Sequence, residues 1–337
     1  MSNLQTADIG LGQTILRRAA ISPNKPAITF EGQTQTFAEL GDRVRRMAAV
    51  LRAGGISAGD RVGYIGFNHP VFLEMLYACG CLGAVFVPLN FRLTGPEVRF
   101  IANDAGISTL VVDDMLRPII DEERANLECT RYITAEADAD NWEALEPLMA
   151  AAQPIEASEK VDGDDVAFIM YTSGTTGLPK GAMLTHGNIF WNSINVCFGD
   201  DGISGTTLTC APLFHIGGLN VTTLLSLGMG VEVVLLRSFD AGQVLALIEK
   251  HKVTTMFGAP TMFLMMAQHE NFSTSDLSSI DAMTCGGAPV PVPLIKTYGD
   301  RGIKFCQGYG LTETAPFASL LASDLAMVKV GSAGKAP

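Results

Sequence analysis

A stretch rich in glycine and hydroxyl groups, residues 171–181, carries side chains suited to phosphate chemistry. It reads YTSGTTGLPKG. Glycine lets backbone N–H groups approach a phosphate closely, hydroxyl side chains add hydrogen-bond donors, and Lys180 adds a positive charge. An ordinary polar hairpin turn is the alternative, but the density of hydroxyls and glycines disfavours it. The sequence therefore predicts a loop that binds the phosphates of a nucleotide.

The stretch differs at two positions from the P-loop of kinases and NTPases. Counted from Gly174, Pro179 stands where that motif has its second glycine. Gly181 stands where the motif has the serine or threonine whose hydroxyl binds Mg²⁺. A kinase or NTPase of the P-loop type is therefore disfavoured. A phosphate loop without its own metal ligand also needs a metal ligand elsewhere in the chain.

Three further stretches combine chemically active side chains with glycine and proline. They are APLFHIGGL (211–219), GGAP (286–289) and QGYGLTET (307–314). His215 lies between Phe214 and an Ile-Gly-Gly sequence, which favours a position facing a cavity over ordinary packing. The other four histidines are interpreted as packing or surface residues. Glu313 is a candidate metal ligand, and a solvated loop carboxylate is its alternative.

Together, the four stretches resemble in order and spacing the signature motifs of the adenylate-forming enzymes. This family includes acyl-CoA synthetases, peptide-synthetase adenylation domains and luciferases. The opening part of the chain, with SPNKPAI, TFAEL, GDRV and PLN, is similar to the same family. The resemblance covers nearly the whole chain. It implies that a carboxylate attacks the α-phosphorus of ATP, that pyrophosphate leaves, and that the acyl group then passes to a thiol.

The resemblance also implies a role for each motif. The residues that take part in catalysis would be Thr175, Lys180, His215, Thr312 and Glu313. The residues that bind the nucleotide would be Thr172, Ser173, Gly174, Thr176, Gly177, Gly286, Gly287, Ala288, Pro289, Gln307, Gly308, Tyr309 and Gly310. The glycine-rich loop would close over the β- and γ-phosphates, and Thr312 would donate to the α-phosphate. Glu313 would hold Mg²⁺, Tyr309 would stack on adenine, and His215 would gate the substrate carboxylate and the thiol entrance.

By the same resemblance, the substrates and cofactors are ATP, Mg²⁺, coenzyme A and a carboxylic acid. Phe214, Gly258 and Met262 are expected to line the pocket for the acid. Amino-acid-activating relatives carry an aspartate in this pocket, whereas PLFHIGGLN and MFGAPTMF contain no carboxylate. The apolar neighbours favour a fatty acid as the first choice and an aryl acid as the second.

In relatives, a third lobe and a C-terminal lid domain follow a glycine segment similar to KVGSAGKAP, with which this sequence ends. Those parts carry the ribose-binding aspartate, the hinge residue and the lysine that bridges the reacting groups. We therefore expect the chain to correspond to the N-terminal portion of an acyl-CoA synthetase, without the lid domain. We also expect weak nucleotide binding and little turnover by this chain alone. A non-catalytic nucleotide- or acyl-binding module is the alternative.

Composition and charge narrow the class of partner. Of the 337 residues, 47% are hydrophobic and 17% are charged, so the chain has enough apolar surface for a folded core. A net charge of −12 disfavours nucleic acid and an anionic membrane as main partners. No transmembrane segment is expected, while peripheral membrane contact and an oligomer are left open. Seven cysteines without a CxxC pair are interpreted as reduced core residues, which favours the cytoplasm.

Strand-like and helix-like segments alternate along most of the chain. Short apolar runs predict strands, and capping-box pairs such as Thr94 with Glu97 predict helix starts. The strand candidates are residues 27–30, 61–66, 84–88, 108–112, 166–171, 207–211, 231–236, 253–257, 281–285 and 303–306. This alternation predicts an α/β fold with two lobes built on mostly parallel sheets flanked by helices. The acidic, alanine-rich residues 135–164 predict a first lobe at 1–160 and a second at 161–337.

The candidate loops follow the strands that end near residues 171, 211, 257, 285 and 306. In open α/β sheets, ligands bind beyond the carboxyl ends of the strands. We therefore expect the phosphate, adenine, metal and acid sites to gather at a single sheet edge.

Overall fold

A computed structural model of the protein describes residues 8–136, 140–173, 177–197 and 203–337. By their internal contacts the residues form two compact units. Unit 1 comprises Met1–Ile21, Ala38–Gly66 and Val71–Phe190, and unit 2 comprises Ser22–Phe37, Phe67–Pro70 and Trp191–Pro337. The division of the sequence at residue 160 stays a prediction about its domains.

The elements alternate between helix and strand, as the α/β prediction requires. The helices are α1 (Leu11–Ile21), α2 (Phe37–Ala53), α3 (Pro70–Leu82), α4 (Gly95–Asp104), α5 (Arg117–Glu123), α6 (Leu145–Ala151), α7 (His186–Cys197), α8 (Ile216–Asn220), α9 (Thr223–Met229), α10 (Ala241–His251), α11 (Pro260–Gln268) and α12 (Val292–Gly299). The strands are β1 (Pro26–Phe30), β2 (Gln33–Thr36), β3 (Arg61–Ile65), β4 (Val85–Leu89), β5 (Ile107–Val112), β6 (Arg131–Thr134), β7 (Glu143–Ala144), β8 (Val166–Thr172), β9 (Lys180–Thr185), β10 (Thr206–Thr209), β11 (Glu232–Leu235), β12 (Thr255–Gly258), β13 (Ala282–Gly286), β14 (Lys304–Gly310) and β15 (Phe317–Leu321).

Unit 1 is built on a seven-stranded sheet in the order β7-β6-β5-β3-β4-β8-β9. All neighbouring strands are parallel except β8 and β9, which pair antiparallel. The backbone N–H and the hydroxyl of Thr94 both donate to the Glu97 carboxylate at 2.8 Å, so the predicted capping box does start α4. The apolar face of α4 packs on the sheet through Val98 and Ile101, which are buried among Val87 and Leu110.

Unit 2 is built on an eight-stranded sheet in the order β15-β14-β13-β12-β10-β11-β1-β2. The six central strands are parallel, and β15 and β2 pair antiparallel at the two edges. The core between this sheet and its helices contains Met256, Phe263, Met283, Tyr298 and Phe305, all nearly inaccessible to solvent. The predicted fold class, mostly parallel sheets flanked by helices, is therefore confirmed. Among the described residues, no helix is both long enough and apolar enough to span a membrane.

Candidate functional site

Four of the motif loops follow four adjacent parallel strands of unit 2. The strands β14, β13, β12 and β10 are consecutive neighbours in the sheet. The loop after β10 carries His215, the loop after β12 begins at Ala259, the loop after β13 begins at Gly287, and a turn after β14 carries Thr312. Because these strands are parallel, their carboxyl ends lie at the same edge of the sheet. Unit 2 therefore brings together four of the five loops that the sequence analysis selected.

These loops approach each other around the ring of Phe257. A Cβ atom on Gly217 would lie 2.7 Å from Cε1 of Phe257. A Cβ atom on Gly286 would lie 2.8 Å from the carbonyl oxygen of Gly308 and 3.3 Å from Cε2 of Phe257. The distances of 2.7 and 2.8 Å are too short for a Cβ atom, so glycine is needed at both positions for close packing. Phe257 thus forms an apolar wall shared by the His215 loop and the GGAP loop.

His215 precedes the short helix α8, and its side chain caps that helix. Its Nδ1 atom accepts a hydrogen bond from the backbone N–H of Gly217 at 3.2 Å. Partial burial of the ring lowers the pKa of His215 below the ordinary histidine value. Since Nδ1 is an acceptor, the neutral ring carries its proton on Nε2. At pH 7 His215 is therefore a neutral group with one N–H donor and an accessible side chain.

The loop that carries His215 is held by Asn68, a residue that the sequence analysis missed. Nδ2 of Asn68 donates to the carbonyl oxygens of Ala211 and Leu236, both at 3.0 Å. Its Oδ1 accepts from the backbone N–H of Leu213 at 2.8 Å. The side chain is buried, so all three hydrogen bonds are shielded from water. Neither a motif nor a period in the sequence marks Asn68.

The predicted adenine-binding residues flank the carboxyl ends of β13 and β14. Gly286 is buried at the end of β13, and the next three residues, Gly287, Ala288 and Pro289, are exposed. At the end of β14, Tyr309 is 52% exposed, so its side chain is accessible to a ligand. Nε2 of Gln307 is buried and has no hydrogen-bond partner among the described residues. Gly308 and Gly310 are half-buried beside these side chains.

Thr312 and Glu313 lie on a single 3₁₀ turn, Thr312–Thr314, directly after β14. The backbone N–H of Leu311 donates to the Thr314 hydroxyl at 2.8 Å, and the N–H of Thr314 donates back to the Leu311 carbonyl at 3.1 Å. Glu313 is exposed, and Thr312 is half-buried. The described part of the chain contains no group of three His, Cys, Asp or Glu side chains that could hold a metal ion by itself. The turn therefore offers one carboxylate and one hydroxyl close together in sequence and open to solvent.

The glycine-rich loop belongs to the other unit. It joins β8 to β9 in the seven-stranded sheet, where Thr172 pairs antiparallel with Lys180. The expectation that all five loops follow strands of one sheet is therefore wrong for this loop. The reason is physical: the sequence gives the order of strands along the chain, whereas pairing partners depend on contacts distant in sequence.

The described ends of this loop are accessible and anchored. Ser173 and Lys180 are exposed. The hydroxyl of Tyr171 donates to Oδ2 of Asp104 at 2.6 Å, and burial together with this carboxylate raises the pKa of Tyr171. Gly177 has a φ of 100°, which suits only glycine. Three predicted site residues, Gly174, Thr175 and Thr176, lie outside the described residues.

The residues predicted to contact the acid lie close to Phe257 in the sequence or in the neighbouring loop. Phe214 is half-buried in the loop after β10, and Gly258 is buried against the ring of Phe263. Met262 lies in the first turn of α11, and its Sδ accepts from the backbone N–H of Ala259 at 3.4 Å. These side chains are apolar, and none of them is charged.

Comparisons with known proteins agree with these motifs. A model of the AMP-binding enzyme family matches residues 15–337. The chain is 45% identical to a feruloyl-CoA synthase from an Amycolatopsis species over 326 residues, which cover 96% of this chain and 64% of that protein. It is 37% identical to indoleacetate–CoA ligase of Aromatoleum aromaticum, with 97% of this chain and 64% of that one covered. It is 36% identical to the long-chain-fatty-acid–CoA ligase FadD13 of Mycobacterium tuberculosis, with 97% and 65% covered.

The fold comparison gives the same result. The inhibitor-bound structure of the N-terminal domain of FACL13 from Mycobacterium tuberculosis superimposes with a TM-score of 0.91 at 34% identity. The superposition covers 97% of this chain and 82% of that one. The chain thus spans 64% of the length of the feruloyl-CoA synthase and matches an N-terminal domain.

Proposed function

The chain belongs to the family of AMP-binding enzymes, and we propose that the protein activates a carboxylic acid with ATP and transfers the acyl group to coenzyme A. A carboxylate oxygen attacks the α-phosphorus, the bond to the bridging oxygen breaks, and pyrophosphate leaves. The thiolate of coenzyme A then displaces AMP from the acyl carbon. One observation carries this proposal: the loops with His215, Gly287 and Thr312 follow three of four consecutive parallel strands at one sheet edge, in a chain whose relatives are CoA ligases.

The chemistry explains why the site contains no Ser-His-Asp set among the proposed residues. A carboxylate is already ionised at pH 7 and needs no general base. The difficulty is to bring one anion against another, so positioning and charge neutralisation supply most of the rate. We assign neutralisation to Lys180, which with Thr172 and Ser173 binds the β- and γ-phosphates. The hydroxyl of Thr312 donates to the α-phosphate.

The adenosine part of the nucleotide is assigned to the loops after β13 and β14. The ring of Tyr309 stacks on adenine, since half of its surface is exposed. The backbone from Gly286 to Pro289 reads the edge of the ring. The buried, unpartnered Nε2 of Gln307 is a hydrogen-bond donor held ready beside this surface.

Glu313 fits the requirements of a magnesium site. Mg²⁺ in nucleotide enzymes is commonly held by one or two carboxylates, with phosphate oxygens and water completing the shell. The exposed Glu313 carboxylate, on the same turn as the Thr312 hydroxyl, meets that requirement without a preformed cage of several ligands. When bound, Mg²⁺ supplies charge neutralisation for the phosphates. Glu313 would hold the ion, and the Thr312 hydroxyl would donate to the α-phosphate.

His215 is assigned to the acid and thiol side of the reaction. A neutral ring with its proton on Nε2 can donate a hydrogen bond to a carboxylate or an acyl oxygen without adding a fixed charge. The cap hydrogen bond from Gly217 to Nδ1 holds the ring orientation. This arrangement suits a side chain that contacts the acid before adenylation and then moves aside so that the thiol can enter.

An aromatic carboxylic acid is the substrate class that the observations favour. Two of the relatives named above are a feruloyl-CoA synthase and an indoleacetate–CoA ligase, and the first of them has the higher identity, 45%. Phe257 is a half-buried aromatic ring between two glycine-containing loops, and aromatic rings pair favourably with planar aromatic ligands. A fatty acid, the first choice from the sequence alone, is the second candidate, because FadD13 is 36% identical and Met262 lies nearby.

Non-hydrolysable acyl-sulfamoyl-adenosines of ferulate, indoleacetate, octanoate and palmitate test this proposal directly. We expect the 337-residue chain to bind the ferulate analogue at least tenfold more tightly than the palmitate analogue in calorimetric titration. Phe257→Ala should narrow that ratio, whereas Phe272→Ala, an aromatic truncation in the core of the same unit, should lower stability and leave the ratio unchanged. Tighter binding of palmitate would establish the fatty-acid alternative, and no binding of any analogue would refute the proposed function.

We also propose a reducing compartment, the cytoplasm, for the protein. Within the described residues none of the seven cysteines forms a disulfide, and six of them are buried. Burial raises the pKa of the Cys285 thiol to about 12, which keeps this thiol protonated and unreactive at pH 7.

A further inference from the structure

A buried asparagine at the end of α8 contacts the turn that carries Thr312 and Glu313. Asn220 is completely buried, and its Nδ2 donates to the carbonyl oxygen of Ala315 at 2.6 Å. The backbone carbonyl of Asn220 accepts from Nδ2 of Asn192 at 3.1 Å. Oδ1 of Asn192 in turn accepts from the N–H of Phe317 at 3.5 Å. Two buried amides therefore hold the backbone on the carboxyl side of the turn.

The residue that Asn220 contacts has an unfavourable backbone conformation. Ala315 has a φ of 63°, in the left-handed region where a residue with a Cβ is disfavoured. Such a residue persists only when its surroundings fix it, and such residues concentrate at functional sites. Ala315 also donates its N–H to the Thr312 carbonyl at 3.2 Å, so its conformation and that of the turn are directly linked.

The hydrogen bonds of Asn220 are not optimised for stability. Oδ1 of Asn220 is buried without a partner among the described residues. A buried acceptor without a hydrogen bond destabilises the fold, and an apolar residue of similar volume would avoid that cost. An apolar residue could not, however, donate to the Ala315 carbonyl. An asparagine at this position is therefore better explained by its orientation of Ala315 than by a contribution to the stability of the fold.

We propose that Asn220 is a positioning residue for the nucleotide turn: its amide holds Ala315 in the left-handed conformation and thereby fixes the direction of Thr312 and Glu313. The proposal rests on the function assigned above to that turn. It also links two parts of the site, because α8 has His215 at one end and Asn220 at the other. A helix of five residues is too short to bend, so the His215 loop and the turn at Thr312–Thr314 share one rigid support.

The test compares Asn220→Ala with a matched control, Tyr298→Phe. Tyr298 is also buried in unit 2, and its hydroxyl donates to the backbone carbonyl of Phe263 at 2.8 Å. Both variants lose one buried bond from a side chain to a backbone carbonyl, and we expect both to unfold at lower temperature. In calorimetric titration with MgATP, Asn220→Ala should bind about tenfold more weakly, and Tyr298→Phe should stay within twofold of the unaltered chain.

A second substitution separates positioning from general loss of structure. Glycine adopts a φ of 63° without steric cost, so Ala315→Gly should make the turn less dependent on Asn220. We expect the double variant Asn220→Ala/Ala315→Gly to bind MgATP at least threefold more tightly than Asn220→Ala. If Asn220→Ala does not fold, Asn220→Ser, whose hydroxyl is too short to replace the amide, takes its place in the same titration.

Amide hydrogen exchange tests the proposal without any ligand. We expect faster exchange at residues 311–317 in Asn220→Ala and unchanged exchange there in Tyr298→Phe. Unchanged exchange at these residues, or unchanged MgATP affinity in the variant, would overturn the positioning role. If the unaltered chain binds no MgATP but exchange at residues 311–317 is faster in Asn220→Ala, the proposed function is wrong, and the result still shows that Asn220 fixes the turn.

Discussion

Replacing Asn68 by alanine would remove three buried hydrogen bonds from the support of the His215 loop. Its amide nitrogen donates to the Ala211 and Leu236 carbonyls, and its amide oxygen accepts from Leu213. This one side chain thus joins the segment after β10 to the end of β11. The truncation leaves two carbonyl oxygens and one N–H group to find new partners in an interior where Asn68 is 3% exposed.

The expected loss of stability follows from the number of bonds. Each buried hydrogen bond contributes a net of about 1 kcal/mol, so three of them amount to about 3 kcal/mol. For a unit of this size, each kcal/mol lowers the midpoint of thermal unfolding by roughly 2–4 °C. We therefore expect Asn68→Ala to unfold about 6–12 °C below the unaltered chain.

Thermal and urea unfolding, followed by circular dichroism, measure this change. Asn271→Ala is the control, because Asn271 is an exposed asparagine of the same unit and its truncation should change stability by no more than about 0.5 kcal/mol. Asn68→Asp adds a sharper variant, since aspartate keeps the acceptor for Leu213 but cannot donate to either carbonyl. A loss below about 1 kcal/mol in Asn68→Ala would refute the assignment of this side chain as the main support of the loop.

Three further predictions address the remaining parts of the structure. Burial lowers the pKa of His186, so the folded chain binds a proton at this side chain less readily than the unfolded chain. The free energy of unfolding should therefore be highest above about pH 6.5 and fall by up to about 1.4 kcal/mol per pH unit below that value. In urea unfolding at pH 7, 6 and 5, His186→Gln should show a smaller decrease. Tyr171→Phe removes the hydrogen bond to Asp104 beside the glycine-rich loop. It should weaken ATP binding by roughly 2- to 10-fold with little change in melting temperature. Equal ATP affinities of the variant and the unaltered chain would contradict an anchoring role for Tyr171. Glu313→Gln should abolish the Mg²⁺ dependence of ATP binding in titrations with and without Mg²⁺, while a large loss of stability would instead identify a structural carboxylate.

The sequence predicted local features well and strand pairing poorly. The capping box at Thr94 and the strands before each motif loop lie within a few residues of their predicted positions. These features depend on side-chain periodicity and capping groups, which are determined by residues close together in the sequence. The antiparallel edges formed by β2, β9 and β15 were not predicted, because an edge strand carries a weak alternating pattern and its partner is set by tertiary contacts.

The same division applies to the candidate site. Motif residues such as His215 and Thr312 could be identified from local residue types, and the fold brings the ends of their strands to one edge. The supports could not be identified, since the partners of Asn68 and Asn220 lie 143 and 95 positions away along the chain. An isolated asparagine in an apolar segment has the same local signature whether it is buried or exposed.

The contrast between exposed motif residues and buried supports has a consequence for how the site can change. Glu313 and Tyr309 are exposed, so their side chains can be replaced at little cost to stability and with direct effects on ligands. Asn68 and Asn220 are buried and donate to backbone carbonyls, so any residue without an amide leaves unsatisfied groups behind. Between these extremes, Phe257 is half-buried and borders the loops that we propose bind the acid. Phe257 contacts Gly217 and Gly286 through its ring and takes no part in the hydrogen bonds that hold the turn at Thr312. We therefore expect substitutions at Phe257 to change substrate preference more than the conformation of that turn.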